Sequence, residues 1–225
     1  MAEYRIKKTF ARHGELSDKC IDVMRMFGLT KERLSRIDFN CDCTISIELG
    51  DIIYITGPSG SGKTVILNEL QKAISAQQRI NLAKIRIPKD RAVIDCIEAD
   101  LLETLHYFST AGLADCPALL NTPANLSEGQ LYRFQLALAL AKGKQFVFAD
   151  EFCSLLDRIT AACISHSIRK FADKYKTTFI LASAHQDILR DLLPDVIVTR
   201  DLSGNTDVTY KLSSRQRKTK CRPAL

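Results

Sequence analysis

The chain has 225 residues, of which 46% are hydrophobic and 26% are charged, so it is long enough to bury a core and has an ordinary globular composition. No apolar run approaches the ~18–20 residues that cross a bilayer, and Met1–Cys20 lacks the apolar core of a secretory signal, so we expect a cytoplasmic protein. None of the eight cysteines forms a C-x-x-C pair, which argues against a structural metal site.

The net charge of +6 is concentrated at the carboxyl terminus. Lys211–Leu225 contains six basic residues and no acidic one, and the rest of the chain is neutral overall. Lysine and arginine release counterions from nucleic acid, so this tail could bind a phosphate backbone, although it has no aromatic side chain to stack on bases. A solvated basic terminus, or one that contacts an acidic partner or anionic lipid, stays an alternative.

Hydrophobic periodicity predicts the elements of the first half of the chain. Apolar residues at helical intervals indicate a helix over 15–27 that packs on the core. CTISIEL and DIIYITG, at 43–49 and 51–57, read as two strands joined by a turn. A helix over 63–75 follows, and KIRIP at 84–88 and AVIDCI at 92–97 read as further strands.

The second half alternates helices and strands. We expect helix over 99–120, with breaks at Gly112 and Pro117, and again over 128–142, which together form a compact helical subdomain at about 99–143. The remaining predicted elements are strands at 145–150, 177–184, 195–200 and 207–212 and helices at 157–174 and 186–193. Such alternation predicts an α/β domain over residues 1–210 with a largely parallel sheet.

GPSGSGKT, at Gly57–Thr64, fits the phosphate-binding pattern G-x-x-x-x-G-K-[ST] and lies between a predicted strand and a predicted helix. Its glycines let backbone N–H groups point at phosphate oxygens, and the helix start adds positive potential. Lys63 would reach the β- and γ-phosphates, and the Thr64 hydroxyl would bind Mg²⁺. The predicted nucleotide-binding residues are Gly57, Pro58, Ser59, Gly60, Ser61, Gly62, Lys63 and Thr64.

Asp150 and Glu151 follow the apolar run FVFA and supply two carboxylates at a strand end. A carboxylate at the end of a central strand beside the phosphate loop can hold Mg²⁺, directly or through water, which is the role we predict for Asp150. Glu151 can polarise the water that attacks the γ-phosphate. Together with the phosphate loop, the pair predicts nucleotide hydrolysis.

LSEGQLYR, at Leu126–Arg133, resembles the LSGGQ signature motif of ATP-binding cassette (ABC) ATPases. The order of motifs also resembles that family: phosphate loop, signature, Asp-Glu strand, SLLD at Ser154–Asp157, then His185 in ASAHQD. The resemblance spans Gly57 to His185 and implies a P-loop NTPase fold of the ABC type, with ATP as substrate.

The family resemblance implies a head-to-tail homodimer with two composite sites. Ser127, Gly129 and Gln130 at a helix start would then grip the γ-phosphate of the ATP held by the other copy, because a helix start offers N–H groups and positive potential to an anion. His185 would contact the same phosphate and position the water. Asp157 would couple the two sites, although it could equally be an ordinary acid at a helix start.

Some positions depart from the family pattern. Glu128 replaces the usual glycine of the signature, and no glutamine follows AVIDCI, where only Glu98 and neighbouring aspartates are available for the Q-loop role. Phe27 and Phe39 are candidates for stacking on adenine, and either could be a core residue. Lys63 and Ser127 are 64 positions apart, a short interval for a transporter cassette.

These departures favour a soluble ABC ATPase that acts on nucleic acid or a protein partner over the ATP-binding subunit of a membrane transporter. Both of these alternatives stay open, together with a binding switch that closes on ATP without hydrolysing it. For an ATP hydrolase, the predicted catalytic residues are Lys63, Glu151 and His185, and the metal would be held by Thr64 and Asp150.

Overall fold

A computed structural model describes residues 2–10, 16–30 and 39–211. The basic tail beyond Lys211 and the side chain of Phe39, one of the candidate adenine contacts, lie outside the described parts. Among the described helices, none combines the length and the apolar character needed to span a membrane.

The main sheet contains six strands in the described residues. In chain order they are β3 (Ile52–Thr56), β4 (Arg79–Asn81), β5 (Phe146–Ala149), β6 (Thr178–Ala182), β7 (Val196–Arg200) and β8 (Thr206–Tyr210). Their spatial order is β4-β5-β6-β3-β7-β8, and all neighbouring strands are parallel except β8, which runs antiparallel to β7. The predicted α/β fold with a largely parallel sheet is confirmed.

Helices cover both faces of this sheet. The described helices are α1 (Asp18–Met26), α2 (Lys63–Ala73), α3 (Leu101–Thr110), α4 (Cys116–Leu120), α5 (Glu128–Ala141), α6 (Arg158–Tyr175) and α7 (Leu189–Leu192). Ile53 and Ile55 of β3 pack toward α2, whereas Ile52 and Tyr54 pack toward α5 and α6. Every residue of β3, β5 and β6 is buried, as expected for central parallel strands covered on both faces.

A separate antiparallel pair, β1 (Ala2–Phe10) and β2 (Phe39–Ile47), packs against the α2 face of the main sheet. Ile6, Ile45 and Ile47 are buried in this contact, and the Ser46 N–H donates to the Tyr210 hydroxyl at 3.0 Å. The β1 strand was not predicted, because Ile6 is the one buried side chain described over residues 2–9, among several exposed charged ones.

The helix predicted over 15–27 is present as α1, but its predicted packing on the core is wrong. None of the residues of α1 is buried, and Met26 and Phe27 are 81% and 74% exposed. The periodicity reveals an apolar stripe on the helix, but it carries no information on which surface covers that stripe. Phe27 is accordingly not a core residue.

The strands predicted at 84–88 and 92–97 are also wrong. Residues 82–84 and 93–96 form 3₁₀ turns, and the edge strand of this region is the shorter β4. The apolar side chains of Val93 and Ile97 pack in the main core. The Val93 N–H donates to the Asn121 carbonyl and takes no part in strand pairing. The short apolar run therefore indicates a buried segment here, and not a strand.

The segment predicted to form a helical subdomain, residues 99–143, contains α3, α4 and α5. Gly112 ends the first of these helices with φ of +74°, as the predicted break requires. Pro117 does not break a helix but lies in the first turn of α4, where its missing N–H costs nothing. The Arg133 guanidinium donates to the Gly112 carbonyl at 2.8 Å and so fastens α5 to the end of α3.

Candidate functional site

The carboxyl ends of β3, β6 and β5 lie side by side at one edge of the sheet. Ile55 pairs with Ala182, and Ala149 pairs with Leu181, so the three strands end at nearly the same level. The segments that follow them are Gly57–Thr64, Ser183–His185 and Asp150–Glu151. The predicted phosphate loop, histidine and carboxylate pair therefore meet at this edge, where open α/β sheets bind ligands.

The phosphate loop has the backbone conformation that its glycines permit. Gly57, Gly60 and Gly62 have φ values of +148°, +79° and +96°, which side chains disfavour. A Cβ atom at Gly57 would lie 2.0 Å from the carbonyl oxygen of Arg200, so only glycine fits there. Gly62 in turn is the N-cap of α2, and the loop passes directly into the helix.

Two buried cations hold the loop in place. The Lys63 ammonium donates to the Gly57 and Pro58 carbonyls at 3.0 and 2.9 Å. From β7, the Arg200 guanidinium donates to the Ser61 carbonyl at 2.6 Å and to the Thr206 hydroxyl at 2.6 Å. Arg200 was not singled out from the sequence, where nothing distinguishes it from other arginines, yet it anchors the loop to the neighbouring strand.

The groups around the loop fit a magnesium–triphosphate ligand. The Ser61 hydroxyl is buried and has no hydrogen-bond partner among the described residues. The first turn of α2 leaves N–H groups without acceptors inside the helix, and the glycine loop leaves room for phosphate to approach them. Thr64 is exposed in that turn and Asp150 is half-buried after β5, so a hydroxyl and a carboxylate oxygen are available to a hard cation.

The turn after β5 exposes Glu151. Its backbone is left-handed, with φ of +50°, an uncommon conformation for a residue other than glycine. The Asp150 carboxylate accepts the Glu151 N–H at 3.1 Å, and the Phe152 N–H donates to the Ala182 carbonyl of β6 at 2.9 Å. These bonds fix the backbone on both sides of Glu151, so its carboxylate projects from a defined turn.

Tyr132, which the sequence did not identify, joins this turn to α5. Its hydroxyl accepts a hydrogen bond from the Cys153 N–H at 3.0 Å. Burial raises the pKa of Tyr132 well above its ordinary value, so the phenol stays neutral. Cys153 also has a left-handed backbone, with φ of +59°. One buried contact therefore connects the helix that follows the signature motif to the carboxylate turn.

The signature residues form the predicted helix start. Ser127 is the N-cap of α5, its hydroxyl accepts from the Gln130 N–H at 3.3 Å, and the Gln130 side chain accepts from the Ser127 N–H at 3.0 Å. This reciprocal capping box leaves Ser127 and Glu128 exposed. Gly129 faces the 155–156 segment, because a Cβ there would lie 3.4 Å from the Leu156 side chain.

His185 is exposed beyond the end of β6, and its carbonyl accepts a hydrogen bond from the Tyr54 hydroxyl. Tyr54 belongs to β3, so the strand that leads into the phosphate loop also supports the histidine segment. Asp157 is the N-cap of α6 and accepts from the Ile159 and Thr160 N–H groups. Bonding to Thr160 lowers the pKa of Asp157, so within one chain its carboxylate acts as an ordinary helix cap.

Two candidate residues are not brought to this edge. Glu98 lies after the 3₁₀ turn and lines a groove with Tyr107 and Lys142, and Phe27 is exposed beyond α1. The strand next to β5 is β4, and the polar residue at its carboxyl end is Asn81. The sequence did not point to Asn81, because a three-residue strand is too short to give a periodic signal.

The chain is similar to curated ATP-binding proteins of transport systems. It is 28% identical to the methionine import ATP-binding protein MetN of Rhizobium etli, over 80% of this chain and 57% of that protein. It is 26% identical to the macrolide export ATP-binding/permease protein MacB of Neisseria gonorrhoeae, over 72% of this chain and 30% of that protein. The chain thus spans just over half the length of the methionine import protein. No protein-family model matches the chain.

Solved structures show the same fold. The post-hydrolysis dimer of the ATP-binding cassette MJ0796 bound to ADP and Pi superposes with a TM-score of 0.64 at 15% identity, covering 92% of this chain and 98% of that one. A bacterial Atm1-family ABC exporter with ATP bound superposes with a TM-score of 0.58 at 18% identity, over 73% of this chain and 34% of that chain.

The motif order, the sequence relatives and the fold agree. The curated relatives are ATP-binding proteins, and the structural neighbours are ABC cassettes. In sequence and in fold, the chain is similar to ABC-type ATPase cassettes.

Proposed function

We propose that this chain binds and hydrolyses ATP to ADP and phosphate, and that two copies pair head to tail to complete two composite sites. One observation carries the proposal: Gly57–Thr64, Asp150–Glu151 and His185 follow three adjacent strands that end at the same edge. That arrangement combines a triphosphate cradle, a carboxylate for the metal and a carboxylate free to act as a base. Binding alone would not require the exposed Glu151.

Each residue of the edge has a chemical role in the proposal. Lys63 and the N–H groups of the loop bind the phosphates, and Thr64 and Asp150 hold Mg²⁺, which neutralises charge on the phosphate oxygens when it is bound. Glu151 orients the attacking water and accepts its proton. His185 donates to the γ-phosphate and helps to position the same water.

The exposed cap of α5 supports the dimer. Ser127 caps α5 by accepting a hydrogen bond from the Gln130 N–H, and it is also exposed to solvent. The γ-phosphate of ATP bound to a second copy can therefore approach this helix start. The Leu155 carbonyl lies beside Gly129 of the same cap. The Leu155 and Ile159 side chains are 58% and 78% exposed, and contact with a partner would remove this apolar surface from water. Dimeric neighbours of the same fold also support this pairing. Ser127, Gly129 and Gln130 therefore act at the opposite copy's ATP.

The working partner is proposed to be a membrane transport subunit. The preference for a soluble cassette that acts on nucleic acid is not supported by the relatives, which fit the transporter alternative better. On α3, Leu101, Leu102 and Leu105 are 63%, 80% and 38% exposed. Exposed apolar side chains close together on one helix are typical of a docking site, and they favour a protein partner over nucleic acid. A cytoplasmic location fits this role.

Glu151→Gln should stop hydrolysis without preventing ATP-driven pairing. Loss of the general base is expected to lower kcat by at least about 100-fold, because such bases contribute factors of that order. Phosphate release measures the rate, and size-exclusion chromatography with and without ATP·Mg²⁺ measures the dimer. Glu98→Gln, an exposed carboxylate outside the edge, is the control and should hydrolyse ATP like the wild type. Equal phosphate release from Glu151→Gln and the wild type would show that the enzyme assignment is wrong.

Tyr132→Phe tests whether the Tyr132 hydroxyl positions Glu151 without contributing to ATP binding. The variant leaves the buried Cys153 N–H without its acceptor, which costs about 1–3 kcal/mol of stability and loosens the turn that presents Glu151. We expect kcat to fall about tenfold or more, with the KM for ATP nearly unchanged. Tyr107→Phe removes a similar hydroxyl, which donates to the exposed Glu103, and should leave kcat unchanged. A lower melting temperature with normal kcat would mean that Tyr132 is purely structural.

The membrane partner can be tested on the α3 surface. The wild-type chain should co-purify with a polytopic protein from detergent-solubilised membranes, and that protein should stimulate its ATPase activity. Leu101→Ser with Leu102→Ser should weaken both effects without changing basal hydrolysis, whereas Leu202→Ser, at another exposed leucine, should change neither. Turnover that responds to DNA or RNA and not to a membrane fraction would favour the soluble alternative instead.

A further inference from the structure

A strongly basic cleft lies along β4, the outermost strand on one side of the main sheet, and none of the predicted phosphate-binding or metal-binding residues lines it. It has a volume of about 490 Å³, and its cationic lining residues are Arg79, Lys84, Arg86, Lys142 and Lys144. Among the described residues its lining includes no acidic side chain, and none of Gly57–Thr64, Asp150 or His185. A cavity of this size is in the range of small-molecule sites.

The five cations come from separate parts of the chain. Arg79 lies on β4, Lys84 and Arg86 lie on the segment that follows it, and Lys142 and Lys144 connect α5 to β5. No ion pair joins any of the five to an acidic residue within 2–10, 16–30 or 39–211. The five cations come together from two stretches about sixty residues apart in the sequence. Because like charges repel, their proximity raises the free energy of the folded state unless a bound anion compensates the charge.

One of these cations is partly buried without a partner. The Nη1 atom of Arg79 is inaccessible to solvent and makes no hydrogen bond within the described structure. In the same lining, the Asn81 amide donates to the Gln71 side chain at 2.8 Å, so these two polar side chains are held in place. A guanidinium group held in such a lining is a ready donor to a phosphate oxygen.

Two simpler explanations cover only part of the cluster. Positive charge on an edge strand discourages pairing with other sheets, but β4 has three residues and its shortness already limits pairing. A lysine near a helix carboxyl end favours the helix dipole, which accounts for Lys142 at the end of α5. Neither explanation accounts for Arg79, Lys84 and Arg86 facing the same cleft.

We propose that this cleft binds a ligand that carries several phosphate groups in a row. Five positive charges exceed what a single phosphate of about −2 would balance. Phosphate is favoured over carboxylate because arginine can bind it bidentately, and no aromatic residue lines the described cleft to stack on a base. The chain of phosphates is therefore the recognised feature, whether it belongs to a free polyphosphorylated molecule or to a nucleic-acid backbone. This inference is independent of the proposed ATP hydrolysis.

The test compares two charge reversals of equal size in the full chain. Lys84→Glu with Lys142→Glu changes two exposed lysines of the cleft, and Lys170→Glu with Lys174→Glu changes two exposed lysines on α6. Fluorescence titration uses labelled inorganic polyphosphate and, separately, a labelled single-stranded oligonucleotide. Excess ATP·Mg²⁺ occupies the nucleotide loop, and the basic tail is present in every protein, so neither accounts for a difference between the variants.

The cleft variant should bind polyphosphate at least about tenfold more weakly than the wild type. If the oligonucleotide also occupies the cleft, the slope of its log affinity against log salt concentration should fall by about 1.4, since each lost phosphate contact removes about 0.7. The α6 variant should bind like the wild type. A loss confined to polyphosphate assigns the cleft to a free ligand, and a loss for both probes assigns it to a phosphate backbone. Equal weakening by the two variants, or equally tight binding of poly-glutamate, would overturn the proposal.

Discussion

Parallel pairing of β3, β6 and β5 brings three strand ends to one edge, and the nucleotide site depends on that alignment. The register of Ile55 with Ala182 and of Ala149 with Leu181 keeps the segments that follow these strands level. The phosphate loop, the carboxylate pair and His185 are thereby brought together although they are far apart in the sequence, between positions 57 and 185. Because the three strands are buried on both faces, they form a rigid base for the exposed side chains of Glu151 and His185.

Buried side chains carry this rigidity into the exposed segments. Arg200 bonds the phosphate loop to β7, Tyr54 bonds the histidine segment to β3, and Tyr132 bonds the carboxylate turn to the signature helix. The last of these has a functional consequence. If the start of α5 grips a phosphate held by a second copy, the force on that helix is transmitted through Tyr132 to the turn that presents Glu151. Closure of the dimer and placement of the catalytic base would then be one event.

Motifs with a fixed backbone requirement were predictable from the sequence. The glycines of the phosphate loop, the Ser127 cap with Gln130 three residues later, and the apolar run before Asp150 each imply a local geometry, and the structure has it. Residues that act through tertiary contact were not predictable. Arg200 and Asn81 belong to no motif, and Tyr132 lies within LSEGQLYR at a position to which the motif assigns no role. The apolar runs at 84–88 and 92–97 are apolar because they are buried and not because they pair as strands. The roles of the site residues remain predictions.

The central claim is that one chain contains only part of each site and that a second copy supplies Ser127. Mixing a Lys63→Ala chain with a Ser127→Arg chain tests it directly, because each is inactive alone and a mixed dimer regains one intact site. In an equal mixture half of the dimers are mixed, so ATP hydrolysis should recover to about a quarter of the wild-type rate. No recovery in a mixture shown to contain mixed dimers, or full activity of the Ser127→Arg chain by itself, would contradict the account.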